Sequence, residues 1–146
     1  LRKSPIDSSE SPAGPKILRA DSSIQKTGFQ RDTIPFGSWK EFYPNGNIRA
    51  EYSFSNGLIT GTYKVYYPDG KIQTERFYNN GMLKNVFFCR DIHGKPMKFG
   101  SFAGGNGSLK IFDEKGNFIR ESLYNDGIRV DSIKNINNDF FPSNEH

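Results

Sequence analysis

The sequence predicts an all-β protein, a single extended antiparallel β-meander sheet built from about four β-hairpin repeats of about 24 residues. Glycines recur in parallel series with matching gaps. The segments between them carry the aromatic and β-branched residues and the period-two alternation of strands. Apolar residues three and four apart, which a helix needs, do not recur, so the glycines are predicted to mark turns between strands.

The glycine series defines the repeat boundaries. The first series has separations of 24, 24 and 22 residues, and a second series follows it by 11 residues with the same gaps. A third series, with Asn85 in one place, precedes the first by nine residues. The three series are Gly46, Gly70, Gly94, Gly116; Gly57, Gly81, Gly105, Gly127; and Gly37, Gly61, Asn85, Gly107. The repeats therefore span residues 37–60, 61–84, 85–106 and 107–130.

Two kinds of turn are predicted in each repeat. Pro-Asn-Gly at 44–46 and Pro-Asp-Gly at 68–70 combine a proline with preset φ, a residue that tolerates the second corner, and a glycine that takes positive φ. Asn56-Gly57, Asn80-Gly81 and Asp126-Gly127 are strong signals for two-residue hairpin turns. The third repeat is degenerate, because His93 replaces the turn Asn or Asp and Pro96 falls in its second strand.

The two ends of the chain differ from the repeats. Residues 1–15 are rich in Ser and Pro and are expected to be a disordered segment or a tether. Residues 16–36 are expected to be a degenerate N-terminal repeat or a capping segment, since Asp32-Thr33 lies one period before Asn56-Gly57. The repeat domain covers 37–131, and 132–146 form a polar tail whose Phe140 and Phe141 could cover an open sheet edge.

The repeat unit resembles a known family. GSWKEFYPNGNIRAEYSFSNG at 37–57 and GTYKVYYPDGKIQTERFYNNG at 61–81 are similar to the MORN-repeat variant, in the form found in bacterial YwqK-like proteins that are labelled antitoxin components. The resemblance implies a repeat scaffold in a bacterial protein. It also implies that the scaffold binds and neutralises a partner toxin protein. The motif positions are structural, so the resemblance assigns no binding residues.

Composition and motifs give no support for catalysis, and we predict a non-enzymatic protein with no cofactor and no metal site. The chain has one cysteine and two histidines, too few for a zinc cluster. Cys89 lies at the strand position of Val65 and is predicted to be a buried, inert thiol rather than a nucleophile served by His93. The glycine-rich stretch 99–108 lacks the Lys-Ser/Thr of a phosphate-binding loop and is predicted to be a loosened repeat junction.

The candidate partner-binding residues are aromatic side chains predicted to share one face of the sheet, with two lysines. The aromatic residues either form the core or leave an apolar surface for a partner, and Trp and Tyr are frequent interface anchors. The lysines form a row that could guide an acidic partner, and Glu51, Glu75 and Glu121 are expected across the hairpins from Lys40, Lys64 and Lys110. The candidate residues are Trp39, Tyr43, Tyr63, Tyr67, Phe87, Lys40 and Lys64.

These features predict a scaffold that binds a partner protein. The resemblance implies that this partner is a toxin. The alternative is a module that attaches to a membrane surface or to lipid head groups, suggested by the net charge of +4 and the aromatic and lysine rows. Basic residues are scattered, so no nucleic-acid partner is predicted. Sheet edges at either end could pair to give a homodimer. No stretch approaches the ~18 apolar residues of a membrane-spanning helix, and the compartment stays open between the cytoplasm and export after loss of a signal peptide.

Overall fold

The computed structural model describes residues 16–18 and 24–132, and within these ranges all regular structure is β-strand. The disorder or tether predicted for residues 1–15 and the tail beyond 132 lie outside the described residues. The strands are β1 (Lys16–Leu18), β2 (Ile24–Arg31), β3 (Ile34–Phe42), β4 (Ile48–Ser55), β5 (Leu58–Ile59), β6 (Gly61–Tyr66), β7 (Ile72–Asn79), β8 (Met82–Cys89), β9 (Gly107–Phe112), β10 (Phe118–Asn125) and β11 (Ile128–Ser132).

The strands form two antiparallel meanders. The large sheet has the order β1-β2-β3-β4-β6-β7-β8, with the short β5 paired to β4. The small sheet has the order β11-β10-β9. The predicted all-β class, with hairpin repeats laid side by side as a meander, is confirmed. The difference is that the fourth repeat forms a sheet of its own instead of extending the first.

Every predicted turn of the repeats is present. At the two-residue turns, Asn56, Asn80 and Asp126 have φ between 49° and 52°, and the glycine after each has φ between 79° and 85°. Positive φ at both central residues defines the type I′ turn, whose twist matches that of paired strands. Asp32 and Thr33 adopt the same conformation, with φ of 52° and 67°, and connect β2 to β3.

The third repeat keeps its turns and its first strand, which is the second half of β8, but it loses its second strand. Gly94 N donates to Asp91 O at 2.9 Å, as Gly46 N donates to Tyr43 O in the first repeat. Between β8 and β9, however, the described residues pair only at two isolated bridges, one of which joins Arg90 to Pro96. Proline has no N–H to donate to a strand ladder. The ladder therefore ends at this repeat, which is where the chain leaves the large sheet.

A tyrosine links each of the first two repeats to the next. The hydroxyl of Tyr43 donates to the backbone carbonyl of Tyr66 at 2.5 Å, and the hydroxyl of Tyr67 donates to that of Arg90 at 2.7 Å. In both cases the acceptor lies 23 residues further along the chain. The third repeat has Asp91 at this position, so it has no such link to the fourth repeat. The aromatic residue before Pro-Asx-Gly is thus a connector between neighbouring repeats.

The core has two clusters of buried residues, one on the large sheet and one between the two sheets. We call the face of the large sheet that carries Trp39, Tyr52, Tyr63, Tyr78 and Leu83 the aromatic face. The small sheet packs on its β7–β8 end, where Leu83 and Leu109 are fully buried with Phe102. Gln73 Nε2 also donates to Asp113 O at 3.0 Å. The fourth repeat therefore folds back over part of the aromatic face.

Candidate functional site

The aromatic face is packed by its own rings. Trp39 and Tyr52 each meet Phe54 edge to face, with ring centroids 5.9 and 5.6 Å apart. Tyr52 stacks on Tyr63 at 5.1 Å, and Tyr63 contacts Tyr78 at 5.6 Å. Such aromatic pairs contribute about 0.5–1.5 kcal/mol each beyond the area they bury. Burial raises the pKa of Tyr63 to about 12, so its hydroxyl is neutral at physiological pH.

Three of the predicted binding residues are therefore part of the core. Trp39 and Tyr43 are 6% exposed and Tyr67 is 2% exposed. Their rings offer no surface to a partner in this structure, and the hydroxyls of the two tyrosines are engaged with the backbone of the next repeat. Of the two roles left open for the aromatic residues, the core role applies to these three. Tyr63 is half-buried in the same ring stack.

Phe87 does not share a face with Tyr63, because β8 contains a bulge at this point. Glu75 is opposite Phe88, but Arg76 is opposite Val86, so Phe87 is an extra residue in the ladder. Val86 takes the core place that the repeat period predicts for Phe87. Phe87 is instead 54% exposed. A bulge changes which residues face the core, and the repeat period carries no signal for it.

The opposite face of the large sheet is polar, and we call it the charged face. The predicted pairing of lysines with glutamates is confirmed by the register: Lys40 lies opposite Glu51, Glu51 opposite Lys64, and Lys64 opposite Glu75, while Lys110 lies opposite Glu121 in the small sheet. The first four residues therefore form one row of alternating charge across β3, β4, β6 and β7. A shallow groove of about 230 Å³ follows this row; the charged-face residues lining it are Ser38, Lys40, Glu51, Ser53, Thr62 and Lys64.

Apolar side chains flank one end of the charged row. Phe77 lies opposite Thr62, on the same face as the row, and is 37% exposed. Phe88 lies opposite Glu75, and its ring is covered by the Arg90 guanidinium at 4.1 Å. Together with exposed Phe87, these rings form an aromatic border at the β7–β8 edge. Lys40 and Lys64 from the predicted set thus lie with this border, on a surface that the small sheet does not cover.

A cleft of about 420 Å³ opens where the small sheet leaves part of the aromatic face uncovered. We call it the intersheet cleft. The large sheet contributes Tyr63, Val65 and Arg76, and the small sheet contributes Arg120 and Tyr124. Sequence analysis missed this site, because the cleft exists only where the fourth repeat folds back over the first and second.

The described residues contain no candidate catalytic group in a reactive setting. Burial raises the pKa of the Cys89 thiol, whose Sγ lies 3.4 Å from Thr74 Oγ1. Cys89 is buried, as predicted for an inert thiol. No group of three or more His, Cys, Asp or Glu side chains in residues 16–18 and 24–132 is placed to hold a metal ion. In the same ranges no helix is long and apolar enough to cross a membrane.

Comparison with known proteins agrees with the repeat geometry. Residues 37–56 and 59–84 match the model of the family described as MORN repeat variant. These two segments are the first and second repeats defined by the glycine series, and the match covers less than half of the chain. No curated protein and no solved structure matches the chain. The family match supports MORN-variant repeats in this chain and does not extend to an antitoxin.

Proposed function

We propose that this MORN-variant repeat chain is a non-catalytic scaffold that binds a partner protein through the charged face and its aromatic border. MORN repeats are commonly non-catalytic binding modules. The observation that carries the proposal is the difference in exposure and composition between the two faces of the large sheet. The aromatic face is occupied mainly by internal packing, whereas the charged face combines an ordered row of charge with exposed Phe77 and Phe87. Exposed aromatic groups beside polar residues are typical of protein interfaces.

The charge pattern favours a protein over a membrane as the partner. Attachment to an anionic membrane surface requires clustered cations. Here Glu51 lies between Lys40 and Lys64, and Glu75 lies beyond them, so the row is close to neutral. Alternating charge gives register and selectivity against a complementary protein surface. The membrane alternative predicts flotation of the full chain with anionic liposomes at low salt, and the protein-scaffold proposal predicts none.

The antitoxin form of the proposal names the partner as a toxin protein. Its support is the similarity of residues 37–57 and 61–81 to YwqK-like proteins, and its experimental test is co-expression. If the proposal is correct, the chain suppresses the toxicity of a protein encoded beside it and forms a complex with it after purification. A neighbouring reading frame that is harmless when expressed alone contradicts the antitoxin form and leaves the scaffold proposal standing.

The scaffold proposal is tested by partner capture with matched variants. Full-length chain is used as bait in lysate of the native host, and binding of the identified partner is then measured with purified proteins. Lys64→Glu and Phe87→Ser are expected to weaken the complex at least tenfold, since each alters the charged face or its border without touching the core. Lys115→Glu, an exposed turn position in the small sheet, is the control and should bind normally. Equal affinity in all three variants refutes the assignment of the surface.

A further inference from the structure

The intersheet cleft is a second candidate site, separate from the charged face. Its volume of about 420 Å³ lies within the range of ~300–1,000 Å³ that is usual for small-molecule sites. Both sheets contribute walls to the cleft. Ala50, Val65 and Ile111 supply apolar surface, and Tyr63 and Tyr124 supply aromatic surface.

The polar group that gives the cleft its chemistry is the guanidinium of Arg76. It lies over the Tyr63 ring at 5.7 Å. Its Nε atom is buried and has no hydrogen-bond partner among the described residues. A buried donor left unpaired costs about 1–3 kcal/mol, and a guanidinium stays protonated in proteins. A ligand that brought an acceptor to this end of the cleft would recover part of that cost.

Two further arginines line the cleft, and two of the acids that line it are engaged in hydrogen bonds of their own. Arg49 and Arg120 line the cleft from opposite walls. Glu41 accepts a hydrogen bond from Tyr52 at 2.6 Å and lies 3.8 Å from the Lys26 ammonium. Asp113 accepts hydrogen bonds from two backbone amides of its own turn, those of Lys115 and Asn117, at 2.9 and 2.8 Å.

The charges of the side chains that line the cleft favour a carboxylate over a phosphate monoester as the ligand. The described side chains lining the cleft include three arginines and three acids, namely Arg49, Arg76, Arg120, Glu41, Asp113 and Glu114. Because the arginines and acids are equal in number, the cleft has no net positive charge to offset a phosphate monoester, which carries about −1.5 to −2 charges at pH 7, and an anion must be held there by one guanidinium. A carboxylate carries one charge, pairs with a guanidinium in bidentate geometry, and can have an apolar body that suits the remaining walls.

We propose that the intersheet cleft binds a monocarboxylate with an aromatic or aliphatic body, its carboxylate directed to Arg76 and its body held between Val65 and Ile111. The carboxylate comes either from a free organic acid or from the C-terminal residue of a peptide. Because the cleft and the charged face are on opposite sides of the large sheet, this binding does not depend on the proposed partner surface.

The test is calorimetric titration of the full-length chain with benzoate, benzamide and inorganic phosphate. Benzoate is expected to bind at least tenfold more tightly than benzamide, which has the same ring without the charge, and more tightly than phosphate. A short peptide ending in phenylalanine with a free carboxylate, compared with its amidated form, distinguishes a peptide source from a free acid. Preference for phosphate, or no binding by benzoate and by the free-acid peptide, overturns the proposal.

Variants place the binding in the cleft. Arg76→Gln should weaken whichever carboxylate probe binds by at least tenfold. Because Arg76 also supports the ring stack, Val65→Phe provides an independent test that fills the cleft and should abolish binding in a folded chain. Lys64→Gln changes the neighbouring residue on the opposite face and should bind the probe normally. Unchanged affinity in Val65→Phe, with its fold verified by circular dichroism, refutes the location.

Discussion

Gly28 allows the indole of Trp39 to lie on β2, and replacing it with alanine should displace that ring. A Cβ added at Gly28 would lie 1.9 Å from the nearest atom of the indole and within 2.4 Å of two more. These are far below any tolerated contact. Trp39 is buried, and its Nε1 donates to Phe29 O at 3.1 Å. Either the ring leaves its site or β2 moves away from β3, and both outcomes lose packing.

The magnitude follows from what Trp39 buries. A tryptophan side chain buries ~200 Å², which corresponds to an upper limit of about 5 kcal/mol if the ring is expelled entirely. Overpacking that is relieved by shifts of the backbone costs about 1–3 kcal/mol. We therefore expect Gly28→Ala to lower the free energy of unfolding by about 2–4 kcal/mol, or the melting temperature by roughly 8–16 °C for a domain of this size.

The assay is direct, because Trp39 is the chain's single tryptophan. Gly28→Ala should shift its fluorescence emission to longer wavelength as the ring becomes solvated. Gly104→Ala is the control, since its Cβ would meet nothing within 4 Å; it should cost about 1 kcal/mol for positive φ and leave the emission unchanged. In a Trp39→Leu background the Gly28→Ala cost should fall below ~1 kcal/mol, since the clash is then relieved. Unaltered emission and melting in Gly28→Ala would refute the placement of the ring.

Four further outcomes are expected. Gly70→Val should cost about 1–3 kcal/mol in thermal melts, because Gly70 has φ of +96° with open space around it; no loss would contradict the turn. Tyr67→Phe should cost about 1 kcal/mol by removing the link to Arg90, and equal stability in urea titration would argue against the connector role. The pKa of Tyr63 is about 10 in the unfolded chain and about 12 in the folded chain. Its contribution to the free energy of unfolding is therefore complete below pH 10 and is lost as the pH rises to 12. Denaturation midpoints that stay constant over about pH 9–12 would exclude this. Cys89 should resist alkylation in the folded chain, and rapid labelling would show that it is accessible.

The turn chemistry of this protein could be predicted from single residues. Positive φ at Asn56-Gly57 and its equivalents is required by the hairpin twist, and only a few residue types tolerate it without strain. The register follows from the two kinds of turn, since the length and type of a turn fix which residues of its two strands lie opposite each other. The Lys40–Glu51 and Lys64–Glu75 pairs could therefore be predicted from the spacing of the residues along the chain.

The candidate site was predicted less completely, because the sequence did not indicate the exposure of each residue or the bulge in β8. A period of 24 residues says which positions are equivalent but not how much of each is exposed. Trp39, Tyr43 and Tyr67 are buried by contacts with residues outside their own repeat, such as those of Trp39 with Gly28 and of Tyr67 with Gly116. Phe87 is displaced by a bulge of one residue, which local sequence does not mark.

The sequence alone thus determined the β-hairpin unit, its turns and the pairing across the Pro-Asx-Gly turns, because these depend on interactions between residues close along the chain. The tertiary structure alone decided where the meander breaks, which face is buried and where the intersheet cleft opens. Those features depend on contacts between repeats, such as that of Gln73 with Asp113, whose partners are separated by 40 residues along the chain.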